Sequence, residues 1–358
     1  MICTAKEGLE LNKVGGKAFN LARLSLNDFN VPPFIILDTD EFWNFLAKDK
    51  ERYKELLLNY NTSSLSEIRK LIENKEFSLI SKERIKTKLD EVFKRHGKII
   101  IRSSATDEDG NNYSFAGMME SYPDLSIEDD VFGYIKKCYL SCFSDRAMEY
   151  RALNKLIDEE LSMAVIIQSM VESDFSAVAF TTDPQTNDPD EVLISVVKGT
   201  GEKLVSGEEN SDDYVVDAEG DVRRLSGSLD IDKRIIREIA DIGKKIEESY
   251  DKKRARDIEI AIKDQKIYVL QERPISAYSH IDKGQFRTIY DNSNIIESYS
   301  GVTTPLTFSF AREVYEKVYR QTLNNFFISQ EDIESIKEDL ANMICFYQNK
   351  VYYRLNSW

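Results

Sequence analysis

The sequence has a shortage of basic charge. Lys and Arg number 48 against 63 Asp and Glu, so the formal net charge is −15. Proteins that bind nucleic acids or anionic membranes place a net basic surface against phosphates, and this balance disfavours both classes. A local basic pocket for one small polyanion stays compatible with the composition, because net charge does not describe a pocket.

Long apolar runs and cysteines are also scarce. No stretch approaches the ~20 apolar residues that span a bilayer. The N-terminus lacks the basic segment and following apolar segment of a secretory signal. Of the four cysteines, Cys138 and Cys142 lie four apart in a helical pattern with no histidine nearby, whereas a structural zinc site needs four ligands. We therefore expect small buried thiols in a reducing cytoplasm.

The remaining composition is that of a folded enzyme. The 358 residues are 42% hydrophobic, including 18 Tyr and 18 Phe, and this length predicts two or three domains. Helical patterns dominate the first third, where Ser64-x-x-Glu67 predicts a capped helix over 65–74. Short β-branched runs at 163–171, 177–181 and 192–197 predict strands. This order of elements indicates an α/β or α+β fold.

One predicted β-hairpin carries paired polar side chains. The run DIEI that begins at Asp257 alternates acid and apolar, so the carboxylates of Asp257 and Glu259 share a face. A turn centred on Gln265 pairs Glu259 with Gln271 and Asp257 with Arg273. Such oxygen ligands suit Mg²⁺, and arginine suits phosphate. The alternative is a cross-strand salt bridge on a solvated face.

Two further segments could bind an anion. Arg102 follows a predicted buried strand and precedes several hydroxyls, and small residues such as Gly117 would let backbone N–H groups approach a phosphate. Against this stands a run of acidic residues from Asp107 to Asp130. Lys17 follows two glycines at the start of a predicted helix, which suits an anion but is not a Walker A loop.

Taken in order, these segments resemble the N-terminal ATP-binding domain of the phosphoenolpyruvate synthase family, which includes pyruvate phosphate dikinase and the rifampin phosphotransferases. The resemblance covers nearly all of residues 10–280. The matching segments are VGGKAFNLARL (14–24), IIIRSSATDEDGNNYSFAGMMESY (99–122), MAVIIQSMVESDFSAVAFTTDPQT (163–186), GTGEKLVSG (199–207), DDYVVD (212–217) and RDIEIAIKDQKIYVLQERPIS (256–276).

The resemblance implies an α+β protein with an ATP-grasp fold, in which two lobes hold the nucleotide in a cleft. It also implies a role for each matched residue. The basic residues that would hold the phosphates and act in catalysis are Lys17, Arg102 and Arg273. Gly117 would belong to a lid over the phosphates, and Ser121 stands where the family commonly has Thr. Near adenine would lie Gln168, Met170 and Val171. Glu259 and Gln271 would hold the metal, so the implied cofactors are ATP and Mg²⁺.

In this family, ATP phosphorylates a histidine on a separate swivelling domain. Neither His96 nor His280 stands in a context like that of the carrier histidine. The implied partner is therefore a phosphocarrier histidine domain outside this chain. Residues 291–312 resemble the segment after the ATP domain in the synthase-like and rifampin phosphotransferase branch. We expect an ATP module over 1–280 and the start of a mostly helical domain over 281–358, as in a fragment.

The function expected from the sequence is ATP-dependent phosphotransfer of the dikinase type, incomplete in this chain and located in the cytoplasm. Within that class the acceptor could be pyruvate or an antibiotic hydroxyl of the rifampin type. A module that binds ATP as a sensor, without phosphotransfer, is the alternative from another class. A hydrolase that uses Asp257 and Glu259 is disfavoured, because carboxyls two apart on one strand are too close and too parallel to bracket a bond.

Overall fold

The computed structural model divides the chain into two compact units, Met1–His280 and Ile281–Trp358. It describes residues 2–4, 10–93, 97–106, 119–157, 161–183, 188–201, 211–250, 255–275, 289–293, 295–299, 301–326, 328–347 and 349–355. Four residues singled out in the sequence lie outside the described ones: His96, Asp107, Gly117 and His280.

The first unit mixes helices and strands in an α+β arrangement. Its helices are α1 (Leu11–Leu26), α2 (Thr39–Leu46), a 3₁₀ turn (Ala47–Asp49), α3 (Lys50–Leu58), α4 (Thr62–Asn74), α5 (Leu79–Val92), α6 (Val131–Ser141), α7 (Asp145–Leu153) and α8 (Lys233–Glu248). Its strands are β1 (Ile2–Cys3), β2 (Phe34–Leu37), β3 (Ile99–Ala105), β4 (Ser121–Leu125), β5 (Met163–Ser169), β6 (Phe175–Phe180), β7 (Val192–Lys198), β8 (Asp212–Val216), β9 (Val222–Arg224), β10 (Arg256–Lys263) and β11 (Lys266–Pro274).

Five of these strands form an antiparallel sheet in the order β1-β2-β5-β3-β4. Alternate side chains of β3 and β5, such as Ile101 and Val165, enter the main hydrophobic core with α2 to α7. Ile166, which points to the other face, packs against α1 through Ala18 and Leu21. Side chains alternate between the two faces of a strand. The residues between the core positions therefore lie on the face of the sheet that α1 covers in part.

The other six strands form an antiparallel sheet in the order β11-β10-β6-β7-β8-β9. Helix α8 covers one face, and its buried residues include Ile236, Ile239 and Ile246 at helical spacing. Ile258 and Ile260 of β10 belong to the same core. The polar residues between these isoleucines therefore lie on the face that α8 does not cover.

The sequence places most of these elements correctly but misses some of their ends. Helix α4 begins at Thr62, because Asn61 is its N-cap and accepts hydrogen bonds from the backbone N–H groups of Ser63 and Ser64 at 2.8 and 3.1 Å. The Ser64 hydroxyl oxygen in turn accepts a hydrogen bond from the Asn61 N–H at 2.8 Å. The predicted Ser64–Glu67 box is therefore wrong, and Ser64 is the third helical residue instead of the cap.

The second unit contains both helices and a small sheet. Its helices are α9 (Ile295–Ser298), α10 (Pro305–Asn325), α11 (Gln330–Ser335) and α12 (Lys337–Ala341), and its strands are β12 (Tyr290–Asp291), β13 (Ile344–Tyr347) and β14 (Lys350–Arg354). The strands pair in the order β12-β14-β13. The sequence indicates the long helix after Pro305 but gives no sign of this sheet.

Candidate functional site

A cavity of about 460 Å³ lies between the two sheets of the first unit. Its walls come from β3, β4 and β5 on one side, from β6, β10 and β11 on the other, and from the segment that follows β5. Six residues chosen from the sequence line it: Arg102, Ser121, Gln168, Met170, Val171 and Glu259. The fold thus brings together side chains that are up to 157 positions apart in sequence, from 102 to 259.

The wall from the five-stranded sheet supplies hydrogen-bond donors. Arg102 lies inside β3, which continues to Ala105, and not just past the strand as the sequence suggests. It pairs with Ser121 of β4 and Ile166 of β5, so these three side chains point to the same face of the sheet. Gln168 lies two positions along β5 and is only 1% exposed. Its Nε2 group has no hydrogen-bond partner among the described residues, and a buried unpaired donor is costly unless a ligand satisfies it.

The wall from the six-stranded sheet supplies oxygen acceptors. Glu259 pairs with Gln271 across β10 and β11, as the sequence predicts. Gln271 Oε1 accepts a hydrogen bond from Arg102 Nη2, and Glu259 Oε2 lies 3.5 Å from the same nitrogen. A carboxylate oxygen and an amide oxygen therefore lie close to the same guanidinium nitrogen. The Arg102 side chain that carries this nitrogen is only 12% exposed.

The hairpin has the predicted residue pairs, but its turn and its register differ from those expected from the sequence. The turn is formed by Asp264 and Gln265, both with positive φ (49° and 61°), so Lys263 pairs with Lys266. The register then shifts by one residue at Glu259, where a β-bulge leaves Leu270 without an opposite residue. The predicted pairs are confirmed, but the turn centred on Gln265 is wrong by half a residue.

Arg273 and Asp257 form the cross-strand salt bridge that was the alternative interpretation of the hairpin. Arg273 Nη2 and Nε lie 2.6 and 2.7 Å from Asp257 Oδ2. The Arg273 side chain is 36% exposed, whereas the Asp257 side chain is 10% exposed. One of the two predicted pairs is therefore a salt bridge, and the other pair contacts Arg102.

Lys17 lies at the start of the straight part of α1. Gly15 has φ of 74° and ψ of 165°, so the helix is interrupted there and resumes with Gly16 and Lys17. The Ser104 hydroxyl accepts a hydrogen bond from the Ala18 N–H at 3.1 Å and donates one to the Val14 carbonyl at 2.7 Å. These bonds attach the helix start to the end of β3. Lys17 itself is half-buried and is not among the described residues that line the cavity.

The oxygen pair can hold a divalent cation. In the described part of the chain no three His, Cys, Asp or Glu side chains gather into a metal site. The candidate ligands are instead the Glu259 carboxylate and the Gln271 amide oxygen, which already converge on a guanidinium nitrogen. Mg²⁺ takes few protein oxygens and keeps water or phosphate oxygens as its other ligands. The donor set therefore fits Mg²⁺ bound together with a phosphate.

Sequence reasoning missed the loop that closes one side of the cavity. Thr200 and Gly201 line it, and the Gly199 carbonyl accepts hydrogen bonds from the hydroxyls of Ser176 and Ser173 at 2.7 and 3.0 Å. Gly199 has φ of 81°, a conformation that favours glycine. The only signal was the GTG triplet in a segment quoted for the family resemblance.

No helix among the described residues is both long and apolar enough to cross a membrane. Cys138 and Cys142 are fully buried in the main hydrophobic core, as expected from the sequence.

Comparison with known proteins gives consistent matches. A family model described as pyruvate phosphate dikinase, AMP/ATP-binding domain, matches residues 11–225 and 221–294. A probable phosphoenolpyruvate synthase of Archaeoglobus fulgidus is 32% identical over 301 residues, which cover 74% of this chain and 40% of that protein. The uncharacterized phosphotransferase YvkC of Bacillus subtilis is 27% identical over 366 residues, covering 90% and 41%.

The chain spans less than half the length of these two relatives. Among solved structures, D-alanyl-alanine synthetase A of Vibrio cholerae aligns over 72% of this chain and 58% of that one, with 10% identity and a TM-score of 0.31. A score of that size carries no weight for the fold.

Proposed function

Since the chain belongs to the family of pyruvate phosphate dikinase AMP/ATP-binding domains, we propose that its cavity binds Mg-ATP. The first unit would act as an ATP-grasp module with two lobes, one around each sheet, and with the nucleotide in the cleft between them. The observation that carries this proposal is the contact of Arg102 with Glu259 and Gln271 across the cavity. Arg102 is the cation that would bind phosphate, and it lies beside the two oxygens that would bind the metal.

The adenine would lie at the end of the cavity formed by Gln168, Met170 and Val171. Apolar side chains on this segment offer the flat, adaptable contact that a purine ring needs. The unpaired Nε2 donor of Gln168 is suited to a ring nitrogen, which accepts hydrogen bonds. This pairing would satisfy a buried group that has no partner among the described residues.

The phosphates would lie at the other end of the cavity. Arg102 and Arg273 carry guanidinium groups that bind phosphate oxygens in pairs, and Lys17 would add a point charge from the start of α1. Glu259 and Gln271 would hold Mg²⁺, which would supply further neutralisation of phosphate charge. Catalysis of this kind depends on positioning and on electrostatic stabilisation by these fixed groups.

The phosphoryl acceptor would be a histidine on a swivelling domain that is not in this chain. Its imidazole nitrogen would attack a phosphorus of ATP as a P–O bond breaks, and the basic residues would stabilise the charge on the departing oxygens. This module would therefore belong to a phosphoenolpyruvate synthase-like phosphotransferase of the dikinase type. We propose that it acts in the cytoplasm, where ATP is available.

An antibiotic phosphotransferase of the rifampin type is the second candidate within this class. The match to phosphotransferase YvkC extends over 90% of the chain, whereas that to the probable phosphoenolpyruvate synthase of Archaeoglobus fulgidus covers 74%. The wider match to a phosphotransferase is the observation that supports this second candidate. Transfer assays that supply a phosphocarrier domain with either pyruvate or rifampin as final acceptor distinguish the two.

Calorimetry with ATP tests the binding proposal. We expect the wild-type chain to bind ATP more tightly with Mg²⁺ than without it, and Lys17→Ala to bind Mg-ATP more weakly. Absence of binding by the wild type would sink the proposal, and equal binding by both proteins would remove only the assignment of Lys17. Transfer of ³²P from labelled ATP to an added phosphocarrier domain then separates a transferase from a sensor, which would give no label.

A further inference from the structure

A buried charged cluster lies behind the hairpin that borders the cavity. Glu272 is 0% exposed and Arg256 is 5% exposed, although neither was singled out in the sequence. Tyr250, just after α8, and Arg23 of α1 complete the group, which we call the rear cluster. Buried charges are costly unless they are paired and hydrogen-bonded, so the arrangement of this cluster is tightly constrained.

Each member of the rear cluster contacts another. Glu272 Oε2 accepts a hydrogen bond from Arg256 Nη1 at 3.1 Å, and Glu272 Oε1 accepts one from the Tyr250 hydroxyl. The Tyr250 ring lies between two guanidinium groups, with Arg256 Cζ at 3.5 Å and Arg23 Cζ at 3.8 Å from its centroid. Arg23 Nη2 also donates to the Ser249 carbonyl at 2.5 Å. The cluster thereby joins α1, the end of α8 and both strands of the hairpin.

The rear cluster is adjacent in sequence to polar residues on the other face of the hairpin, the face to which Glu259 of the cavity wall belongs. Glu272 lies between Gln271 and Arg273, and Arg256 precedes Asp257. Because successive side chains point to opposite faces of a strand, fixing Glu272 on one face orients its two neighbours on the other. The bulge at Leu270 lies just before this segment and locally disrupts the ladder on that side.

We propose that Glu272 is a positioning residue for the phosphate end of the cavity. Held by Arg256 and Tyr250, it fixes the end of β11 so that Gln271 reaches Arg102 and Arg273 reaches Asp257. This inference rests on the proposed binding of Mg-ATP. It assigns Glu272 no contact with the nucleotide; the residue acts through the two neighbours that do.

Helix α1 also contacts the rear cluster and the strand that carries Glu272. The Glu272 carbonyl accepts a hydrogen bond from Asn20 Nδ2 at 3.4 Å, and Arg23 stacks on Tyr250. Lys17 is on the same helix, one to two turns before Arg23. The rear cluster thus links all three basic residues that the phosphates would meet, through α1 for Lys17 and through the hairpin for Arg102 and Arg273.

The test compares two ligands that differ only in their phosphates. Dissociation constants of Mg-ATP and of adenosine are measured by calorimetry for the wild type and for Glu272→Gln, which keeps the shape of the side chain but removes its charge. We expect Mg-ATP to bind about tenfold more weakly, in line with the loss of an outer partner at a metal site. Adenosine, which occupies the Gln168 end, should bind as it does to the wild type.

Glu41→Gln is the matched control. Glu41 is also 0% exposed and is bonded to an arginine, Arg84, but it lies on α2 away from the cavity lining. It should lose thermal stability without changing either dissociation constant. Tyr250→Phe removes one hydroxyl from the cluster and keeps the ring. It should weaken Mg-ATP binding about threefold, as expected for one hydrogen bond. This variant takes the place of Glu272→Gln in the test if Glu272→Gln does not fold.

The outcomes separate this inference from the proposed function. A wild type that binds no Mg-ATP overturns both. A wild type that binds, with Glu272→Gln and Tyr250→Phe showing the same ratio of Mg-ATP to adenosine affinity as the wild type, overturns only the positioning role. Equal weakening of both ligands would also overturn it, because a general loss of structure does not select for phosphate.

Discussion

The two sheets that enclose the cavity present polar side chains in different ways. In the five-stranded sheet, regular alternation places Arg102 and Gln168 on the cavity face with no irregularity between β3 and β5. In the six-stranded sheet, Glu259 and Gln271 meet only because a bulge at Leu270 corrects the register. The first sheet supplies donors and the second supplies oxygens, so substitutions in the two sheets should affect ATP and Mg²⁺ differently.

The largest effect should come from Gly15→Ala, which acts on the five-stranded sheet. A Cβ at Gly15 would lie 2.5 Å from the Ser104 carbonyl oxygen and 2.6 Å from that of Ala105, and φ is +74°. Strain and backbone overlap together should reduce the free energy of unfolding by about 3 kcal/mol. Denaturant unfolding measures the loss.

Gly220→Ala, in the turn between β8 and β9 of the other sheet, is the control for Gly15. Its φ is +82°, but no atom lies within 4 Å of the added Cβ. Only the conformational cost of about 1 kcal/mol should appear. Equal losses in the two variants would show that contact with β3 does not determine the effect at Gly15.

Arg102→Met should weaken ATP binding most. Loss of a buried charge-assisted interaction with phosphate costs up to about 3 kcal/mol, or roughly a hundredfold in affinity. Because Arg102 would bind phosphate directly, ATP should lose affinity both with and without Mg²⁺, as calorimetry can measure. Lys98→Met is the control. Lys98 immediately precedes the same strand, β3, but it forms a salt bridge with Asp124 at the surface. Similar losses in both variants would contradict a specific site at Arg102.

Glu259→Gln should affect the metal rather than the nucleotide. We expect Mg-ATP to bind about tenfold more weakly, since one carboxylate ligand is lost. ATP without Mg²⁺ should lose no affinity, because the variant removes a negative charge near the phosphates. Calorimetry with and without EDTA measures the difference, and Glu238→Gln on the exposed side of α8 serves as control. A loss that is equal with and without Mg²⁺ would argue against Glu259 as a metal ligand.

The smallest effect should come from the Ser121 hydroxyl, which lies beside Arg102 in the ladder. Ser121→Val should lower Mg-ATP affinity about fivefold, the value of one hydrogen bond of about 1 kcal/mol. Ser121→Thr keeps the hydroxyl and should bind within about twofold of the wild type. Competition with a fluorescent nucleotide measures both. If Thr and Val were equivalent, the hydroxyl would have no role.

The faces of the strands could be predicted from sequence, because alternation is a local property. Asp257 and Glu259 share a face by spacing alone, and their partners follow once a turn is assumed. The bulge could not be predicted, since Leu270 is apolar like Val269 and nothing in the run of residues marks it as the extra one. Asn61 shows the same limit: several polar residues compete for the cap, and geometry decides among them.

Contacts between distant segments were the least accessible part. The rear cluster depends on Arg23 and Tyr250 meeting across more than two hundred positions, and neither residue has an unusual local context. The short strand Tyr290–Asp291 pairs with Tyr353 and Arg354, and two residues carry too little pattern to predict a strand. Family resemblance singled out residues that the fold brings into the cavity wall, such as Arg102 and Glu259. It did not indicate which buried groups hold them.

The segment between β5 and β6 has a mechanical consequence. Among the described strands, all those of the five-stranded sheet precede those of the other sheet, so the chain crosses between them once, from Met170 to Asp174. The Met170 N–H is bonded to the Lys98 carbonyl at 2.9 Å, and the Asp174 N–H to the Ile262 carbonyl at 2.8 Å. Each end of this crossing is therefore anchored to a different sheet.

Met170 and Val171 also form part of the cavity wall. A rotation of one sheet against the other would displace this segment, and with it the surface on which a ligand rests. Helix α1, which is bonded to Ser104 of β3 and to the Glu272 carbonyl of β11, would have to move against one of the sheets as well. Occupancy of the cavity and the angle between the sheets are therefore linked quantities, and a ligand that prefers one angle draws the population of the unit toward it.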